Sequence, residues 1–305
     1  MNSSQLIGLV IRQQAGFYTV FTEKREYTCK LRGKLKQEKI NEDLVVVGDQ
    51  VFITVLPDDS GVIENIQPRN KAFFRMAPLT RGEYKQIFIA NPDQMLLVFA
   101  CAEPAPSIRM LDRFLVIAEK QKIPAIIIAN KIDLVGEKRA KELFGYYVDI
   151  GYRVIYTSAQ SKRNIGHLQK ILQNKLSAFS GPSGVGKSSL LNCIQPELGI
   201  QVGLLKHSSG KGRHKTVVRQ LFKLECGGFV ADMPGLRSLS LWDTEPEELD
   251  GYFPEMRELV EDCQFNNCSH ITEPGCAVKQ ALEKGKIHPS RYESYSRLRV
   301  GDSPE

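Results

Sequence analysis

A glycine-rich segment near the middle of the chain has the residue types and the spacing that hold phosphate groups. Residues 181–188 have the sequence Gly-Pro-Ser-Gly-Val-Gly-Lys-Ser, which fits the pattern G-x-x-x-x-G-K-[ST]. Glycines let the backbone turn so that successive N–H groups face one anion, the lysine adds a positive charge, and the serine hydroxyl suits Mg²⁺. A glycine-rich turn that binds nothing is the alternative. The predicted contacts are Gly181, Pro182, Ser183, Gly184, Val185, Gly186, Lys187, Ser188 and Ser189.

The elements that flank this segment support a phosphate-binding role. A short buried strand is predicted at Leu176–Ser180, and a helix is predicted to start at Ser188–Cys193. A strand, a loop and a helix in this order place the helix N-terminus against the anion, because the first N–H groups of a helix have no partner within it.

A second motif predicts which base is bound. Residues 130–133 have the sequence Asn-Lys-Ile-Asp and follow an apolar strand predicted at Pro124–Ala129. The carboxylate of Asp133 can accept hydrogen bonds from the ring N–H and the exocyclic amine of guanine. Adenine lacks that pair of donors, so we expect a buried Asp133 to reject it. The predicted base contacts are Asn130, Lys131, Asp133, Ser158 and Ala159, the last two at the end of the next predicted strand.

Three magnesium ligands are predicted, two before a predicted hairpin in the sequence and one at its end. Val217–Leu224 and Phe229–Ala231 are predicted to form an antiparallel hairpin, and residues 232–235 have the sequence Asp-Met-Pro-Gly. We expect Asp232 to hold a water on Mg²⁺ and the N–H of Gly235 to meet the γ-phosphate. The predicted magnesium ligands are Ser188, Thr216 and Asp232.

Four residues near the C-terminus have the spacing of a structural zinc site. The pattern is Cys263-x₄-Cys268-x-His270-x₅-Cys276, which supplies three thiolates and one imidazole. This set fills a tetrahedral zinc ion and leaves no position for water, so we expect a structural ion. A disulfide framework is the alternative, and the odd number of seven cysteines argues against it. The basic residues expected to surround this site are Lys279, Lys284, Lys286, Arg291, Arg297 and Arg299.

The N-terminal segment is predicted to be a small β-barrel. Short strands rich in Val, Ile, Phe and Tyr recur with glycine turns between them, which favours an OB-type fold. The basic segment Lys30–Lys39 could bind nucleic acid or could be a solvated hairpin tip. Pro68–Arg81 is predicted to be a linker, after which strands alternate with helices as in a parallel sheet. The strand candidates are Leu6–Ile11, Phe17–Thr22, Glu26–Lys30, Val45–Val47 and Val51–Leu56.

The order of the motifs is unusual, and with the motifs themselves it indicates a family. The guanine motif at 130–133 precedes the phosphate loop at 181–188, and the Asp-x-x-Gly motif at 232–235 follows it. In ordinary GTPases the guanine motif comes last. The chain resembles the circularly permuted GTPases of bacterial ribosome assembly, the ribosome small-subunit-dependent GTPase A family. Residues 212–214 (Gly-Arg-His) and 273–279 (Glu-Pro-Gly-Cys-Ala-Val-Lys) also match that family.

This resemblance implies a fold and an activity. The expected fold is a circularly permuted α/β P-loop GTPase domain with an N-terminal OB-type β-barrel and a small C-terminal zinc-binding helical domain. The expected boundaries are 1–70, 71–245 and 246–305. The implied function is GTP hydrolysis in late maturation of the small (30S) ribosomal subunit, with binding to its rRNA and release after hydrolysis. The implied cofactors are GTP or GDP, Mg²⁺ and one structural Zn²⁺.

The catalytic residues are expected in the phosphate loop and in the segment after its helix. Leu236 stands where many GTPases have a water-orienting glutamine, and it cannot polarise water. His214 is the local candidate for that role, with a contact to rRNA as its alternative. Lys215 stands where the family usually has threonine, which leaves Thr216 as the magnesium ligand. The predicted catalytic residues are His214, Lys187 and Thr216.

Composition permits this function without requiring it. The net charge of +6 is a mild preference for polyanions, and no apolar run is long enough to cross a bilayer. We expect a cytoplasmic monomer with no membrane partner. One alternative function is an RNA-binding module that is switched by nucleotide with negligible turnover. Another is a metabolic enzyme that uses ATP or GTP, such as a kinase, against which the guanine motif argues.

Overall fold

The computed structural model describes residues 5–35, 41–79, 82–200, 219–233 and 244–301. The chain divides into two compact units, described separately below. The barrel unit comprises residues within 1–94, 167–179 and 195–234, and the α/β unit comprises residues within 95–166, 180–194 and 235–305. These units group residues by proximity and do not test the expected domains 1–70, 71–245 and 246–305, which stay a prediction.

The N-terminal strands close into a five-stranded barrel, which confirms the OB-type expectation. Four pairings are antiparallel (β1–β2, β2–β3, β4–β5 and β1–β4), and the parallel pair β3–β5 completes the closure. Val10, Val20, Ile53 and Ile63 fill the interior and are fully buried. The strands are β1 (Gln5–Gln14), β2 (Phe17–Phe21), β3 (Glu26–Leu31), β4 (Gln50–Val55) and β5 (Gly61–Ile66).

The prediction of a strand at Val45–Val47 was wrong. These valines are buried in the irregular connection between β3 and β4. A side-chain hydrogen bond takes the place of strand pairing there, since the N–H of Val46 donates to Oδ2 of Asp49 at 2.8 Å. The barrel strand that was not predicted is β5, which starts at Gly61.

The prediction of a linker over Pro68–Arg81 was also wrong. Residues Ala72–Leu79 form β6, which pairs antiparallel with β7 (Gly82–Ala90) in a separate two-stranded sheet. Phe73 is buried, whereas the guanidinium of Arg75 lies 5.8 Å from the ring centre of Phe88. The charged residues hid the strand pattern because their side chains pack over aromatic rings of the hairpin.

The α/β unit contains a parallel sheet, as expected. β9 lies between β8 and β10, with parallel pairing on both sides. The strands are nearly continuous apolar runs because helices cover such a sheet. In chain order the elements are β8 (Gln94–Ala100), α1 (Ile108–Lys120), β9 (Ala125–Asn130), α2 (Gly136–Phe144), α3 (Tyr146–Asp149) and β10 (Arg153–Tyr156).

The next elements surround the phosphate loop in the sequence. In the barrel unit, β13 pairs parallel with β11 and antiparallel with β12, and β12 also pairs with β1 of the barrel. The predicted hairpin is therefore confirmed over its described part. The elements are α4 (Ile165–Leu172), β11 (Leu176–Ser180), α5 (Lys187–Ile194), β12 (Arg219–Lys223) and β13 (Phe229–Asp232).

Short helices build the C-terminal part of the α/β unit. A 3-10 segment at Pro246–Tyr252 precedes α6 (Pro254–Arg257), α7 (Ala277–Glu283) and α8 (Pro289–Arg299). Their small core includes Phe253 and Tyr295, which are fully buried with their rings 5.4 Å apart. A search of the described helices for one long and apolar enough to cross a membrane found none.

Candidate nucleotide site and metal centre

The phosphate loop has a backbone that only glycine adopts without strain. Gly181, Gly184 and Gly186 have φ values of +143°, +82° and +96°. A Cβ atom on Gly181 would lie 2.1 Å from the carbonyl oxygen of Val98, and one on Gly186 would lie 2.4 Å from Nδ2 of Asn130. The glycines are therefore needed for conformation and for close approach, which argues against a plain surface turn.

The two side chains expected to serve phosphate and magnesium lie at the start of α5. Lys187 and Ser188 are buried, at 7% and 5% exposure. The ammonium of Lys187 donates to the carbonyl oxygens of Gly181 and Pro182, both at 2.8 Å, so its stem lies across the loop. A positive group and a helix N-terminus thus occupy one end of the loop, which suits an anion. Ser189 follows on the same helix.

One asparagine ties the guanine motif to the phosphate loop. Asn130 is the last residue of β9, and its Nδ2 donates to the carbonyl oxygen of Val185 at 2.8 Å. Its Oδ1 accepts a hydrogen bond from the hydroxyl of Thr157 at 3.1 Å. Both side chains are buried. Two motifs more than fifty residues apart are therefore held side by side, and Thr157 is a supporting residue that sequence reasoning missed.

Lys131 and Asp133 of the guanine motif lie outside the core, whereas Ile132 between them is buried. Lys131 has a left-handed backbone (φ +64°), and its ammonium donates to the carbonyl oxygen of Glu103. Asp133 is exposed, which corrects the expectation that it is buried. Burial and, to a smaller extent, the charge of Asp133 raise the pKa of Cys101, which directly follows β8, to about 12. Because an exposed Asp133 can bond to water, it discriminates against adenine only when the bound base covers it.

The segment after β10 is held in a compact turn. The N–H of Ser161 donates to the hydroxyl of Ser158 at 3.0 Å, and Ser158 is fully buried. The carbonyl oxygen of Ala159 lies 3.3 Å from Sγ of Cys193 on α5. Since the end of β10 lies beside the end of β9, Ser158 and Ala159 lie near the guanine motif, as predicted.

The aspartate of the third motif ends its strand as predicted. Asp232 is the last residue of β13 and lies opposite Phe179 of β11 in the parallel register. The N–H of Met233 donates to the carbonyl oxygen of Phe179 at 2.9 Å, and Phe179 is two residues before Gly181 in the chain. Both carboxylate oxygens of Asp232 are buried. The other predicted residues of this part, His214, Thr216 and Gly235, lie outside the described residues.

The four predicted zinc ligands converge in the α/β unit. The donor atoms of Cys263, Cys268, His270 and Cys276 all lie within 4.8 Å of one another. Nδ1 of His270 lies 3.5 Å from Sγ of Cys263 and 3.4 Å from Sγ of Cys276. Three sulfurs and one nitrogen at this spacing fit a tetrahedral zinc ion.

Two carboxylates support this cluster from outside. Nε2 of His270 lies 3.2 Å from Oδ2 of Asp250, so the outer nitrogen has a partner that orients the ring, as metal-bound histidines usually do. Glu273 accepts backbone hydrogen bonds from Ser269, Ile271 and Thr272, and bonds to Ser269 are the main reason that its pKa falls to about 2. Asp250 and Glu273 thus hold the loop that presents the ligands.

Burial disfavours the free thiolate of one cysteine of the cluster, Cys268. It raises the pKa of Cys268 to about 12, and the neighbouring Cys276 and Cys263 add to the effect. A divalent cation reverses this preference because it binds the thiolate form directly. The donor set therefore fits a resident metal better than a group of free cysteines.

The basic residues expected on the surface separate into two groups. Lys284 and Lys286 are exposed, as an RNA surface requires, but Arg291 is fully buried in an ion network and cannot contact RNA. In the barrel, Lys30 is exposed and lies over the Phe17 ring at 5.0 Å. Lys36 and Lys39 of the same basic segment lie outside the described residues.

Comparison with known proteins agrees with these motifs. A family model described as RsgA GTPase matches residues 66–242, and one described as RsgA N-terminal domain matches residues 7–63. The chain is 42% identical to the small ribosomal subunit biogenesis GTPase RsgA of Gemmatimonas aurantiaca, covering 96% of each chain. It is also 42% identical to the protein of that name from Carboxydothermus hydrogenoformans, covering 94% of each.

Solved structures give the same result. YjeQ from Thermotoga maritima is 37% identical with a TM-score of 0.79, over 98% of this chain and 99% of that chain. YloQ, described as a circularly permuted GTPase, is 34% identical with a TM-score of 0.75, over 98% of this chain and 95% of that chain. The permuted motif order, the barrel and the sequence identity over nearly the full length all agree, and the chain therefore belongs to the RsgA family.

Proposed function

We propose that this protein binds GTP with Mg²⁺ and hydrolyses it during maturation of the small ribosomal subunit. The observation that carries the proposal is the hydrogen bond from Asn130 to the carbonyl oxygen of Val185. It joins a base-recognition motif to a phosphate loop, so one ligand with a guanine base and a phosphate chain satisfies both. The GTPase names of the relatives support the same activity.

The residues divide the work according to their chemistry. The N–H groups of 181–188 and the ammonium of Lys187 bind the phosphates, and Lys187 exchanges its two carbonyl contacts for phosphate oxygens. Asp133 accepts from the guanine ring N–H and amine, while Asn130 and Lys131 brace the pocket and Ser158 and Ala159 close it. Ser188, Thr216 and Asp232 would hold Mg²⁺, which would neutralise charge on the terminal phosphates when bound.

The water that attacks the γ-phosphate needs a residue to orient it. Leu236 occupies the position after Gly235 and has no polar group. His214 is the proposed replacement, and the N–H of Gly235 is proposed to contact the γ-phosphate. Because this machinery lacks the usual glutamine, we expect intrinsic turnover to be slow and to rise when the small ribosomal subunit is bound.

Zinc has a structural role in this proposal. Cys263, Cys268, His270 and Cys276 fill the coordination of one ion, which stabilises a domain with a small core of its own. The exposed lysines of that region and of the barrel suit rRNA phosphates. The proposed partner is the small ribosomal subunit with its rRNA, and the protein acts as a cytoplasmic monomer with domains at 1–70, 71–245 and 246–305.

GTP turnover with and without purified small subunits tests this function. We expect slow hydrolysis alone and at least about tenfold stimulation by small subunits, with no hydrolysis of ATP. Turnover that stays negligible with small subunits present would favour the nucleotide-switched RNA-binding module. For His214→Ala, loss of stimulated turnover with unchanged GTP affinity supports the catalytic role. Unchanged stimulated turnover would assign His214 to another function.

A further inference from the structure

A fully buried arginine lies between the C-terminal helices and α1. Arg291 on α8 donates through Nη1 to Oδ1 of Asp112 on α1 at 2.6 Å, and both side chains have no exposed surface. Its Nε and Nη2 also donate to the two carboxylate oxygens of Glu255, at 2.6 and 3.2 Å. A buried ion pair of this kind is seldom more stable than an apolar replacement, so stability alone is a weak explanation for it.

The same helix is fixed to the loop that carries the zinc ligands. The hydroxyl of Tyr292 donates to the carbonyl oxygen of His270 at 2.6 Å, and that of Tyr295 donates to the carbonyl oxygen of Ser269 at 3.0 Å. Tyr292 is adjacent to Arg291 in the sequence. A change in the backbone at His270 therefore acts directly on the turn of α8 that carries Arg291.

The other partner of Arg291 leads to the nucleotide site. Asp112 lies in the second turn of α1, and the loop before α1 bonds to the guanine motif and passes close to the phosphate loop. The carbonyl oxygen of Glu103 accepts from the ammonium of Lys131, and a Cβ on Gly184 would lie 3.7 Å from Cδ of Pro104. The position of α1 thus influences the guanine motif and the phosphate loop together.

The ion pair of Arg291 with Asp112 joins α8 to α1 through two fully buried side chains. A second ion pair between these helices, Arg109 with Glu293 at 3.2 Å, is exposed and is therefore screened by water and salt. The Asp112 carboxylate also accepts from the hydroxyl of Tyr147 at 2.6 Å, which fixes it in place. Directional bonds between two buried, oriented groups permit only a narrow range of helix positions.

We propose that Arg291 is a positioning residue that couples the zinc centre to the guanine-nucleotide site. With zinc bound, the loop at 268–276 holds α8, Arg291 holds α1 through Asp112, and α1 holds the loop at 103–104 against Lys131 and the phosphate loop. Binding at either site then favours the arrangement that the other needs, so GDP tightens zinc binding and zinc tightens GDP binding by the same factor. This inference rests on the proposed guanine-nucleotide and zinc sites.

The test measures the linkage at equilibrium rather than GTP turnover. The dissociation constant for zinc is obtained by competition with a chelator of known affinity, with and without saturating Mg²⁺–GDP. In the wild-type protein we expect GDP to lower it about fivefold or more, which is the lower range of allosteric couplings. A fluorescent GDP analogue, titrated into zinc-loaded and zinc-free protein, should report the same factor.

Variants separate coupling from general stability. Arg291→Met keeps a long apolar side chain in the buried space, and we expect both ligands to bind with a coupling factor near one. Asp112→Asn removes the charge and keeps the shape, and it should lose most of the coupling if Arg291→Met fails to fold. The matched control is Arg297→Met on the same helix, whose salt bridge to Glu293 is partly exposed. In this control, GDP should lower the zinc dissociation constant by the same factor as in the wild-type protein.

The outcomes distinguish this inference from the function on which it rests. Absence of GDP binding or of a bound zinc ion in the wild-type protein overturns the proposed sites, and the coupling with them. Normal binding of both ligands with a factor near one in the wild-type protein overturns the coupling alone. A factor that is equal in wild type, Arg291→Met and Asp112→Asn assigns the coupling to other residues and overturns the role of Arg291.

Discussion

The phosphate loop and the predicted zinc cluster are built from different parts of the chain, the first from backbone groups and the second from side chains. The loop is built from backbone N–H groups of a glycine-rich turn, and its lysine is already bonded to carbonyl oxygens of the same turn. The cluster is built from side chains: Cys268, His270 and Cys276 are buried, and burial raises the pKa of the Cys268 thiol, so a cation is needed to favour its thiolate. The first site is therefore formed before its ligand arrives, which suits a nucleotide that exchanges, whereas the second depends on a resident ion.

Loss of one zinc ligand should give the largest effect. Cys276→Ser is expected to abolish stoichiometric zinc and to unfold the small core around Phe253 and Tyr295, since structural zinc in small peptides contributes about 10–16 kcal/mol of apparent binding free energy. The midpoint of thermal unfolding should fall by roughly 10 °C or more. Zinc analysis and calorimetry measure this. Cys226→Ser, outside the cluster, is the control, and a zinc-loaded Cys276→Ser protein with an unchanged midpoint would contradict the prediction.

The corresponding change in the phosphate loop should affect activity and leave the fold intact. Lys187→Ala removes the charge that faces the phosphates, and we expect GTP turnover to fall about 10²- to 10³-fold, as for other residues that stabilise developing charge. The unfolding midpoint in the absence of nucleotide should shift by no more than about 3 °C, because the backbone forms the loop. Lys138→Ala, at an exposed position, is the control. Turnover within twofold of wild type would remove Lys187 from the proposed mechanism.

Base recognition should change with a single atom of Asp133. Asp133→Asn replaces one acceptor oxygen with a donor, so it can no longer accept both guanine N–H groups and can donate to the extra carbonyl of xanthine. We expect GDP affinity to fall about 100-fold, the cost of a lost hydrogen bond to a charged group, and xanthosine diphosphate to gain. Competition binding measures the ratio, with Asp149→Asn as the exposed control. Equal loss of affinity for both nucleotides would show that Asp133 does not contact the base.

The smallest expected effect depends on pH. Hydrogen bonds, chiefly from Ser269, lower the pKa of Glu273 to about 2, whereas an unfolded glutamate titrates near its ordinary value of 4.5. The folded state thus binds fewer protons, so the stabilising contribution is fully present above about pH 5 and is lost as pH falls toward 2. Glu273→Gln should lower the unfolding midpoint by about 2–4 °C at pH 7, with a smaller difference below pH 4.

Melting curves from pH 7 to pH 3 measure this difference, and Glu283→Gln on the exposed side of α7 is the control. A Glu273→Gln difference that is constant across that range would mean that the carboxylate charge does not stabilise the ligand loop.

Contiguous motifs were predictable because local backbone geometry specifies them. The strand Leu176–Ser180, the phosphate loop and the helix after it lie where expected, since each is defined by residues adjacent in sequence. The linker assigned at Pro68–Arg81 failed because burial of Phe73 arises from pairing with a later strand. Asp133 was expected to be buried, yet it is exposed in the short 3-10 turn Ile132–Leu134 after β9, and a short motif does not encode that difference.

The residues that support the two sites could not be predicted, because their partners are far away in the chain. Thr157 orients Asn130 across 27 positions, and Asp250 orients His270 across 20. Neither has a motif of its own. Arg291 appeared in the sequence as one more basic residue of the tail, and only packing of α8 against α1 placed it in a fully buried ion network.

The amino-acid sequence by itself determined the chemistry of this protein: a phosphate loop, a guanine motif and a four-ligand metal set, each recognisable because spacing along a short segment fixes geometry. Tertiary structure decided how those motifs are arranged in space and which of their residues are buried. The bond from Asn130 to Val185, the exposure of Asp133 and the burial of Arg291 depend on which strands and helices lie beside one another. Long-range packing sets that arrangement, since contacts between distant segments are selected by the burial of whole faces rather than by local residue preference.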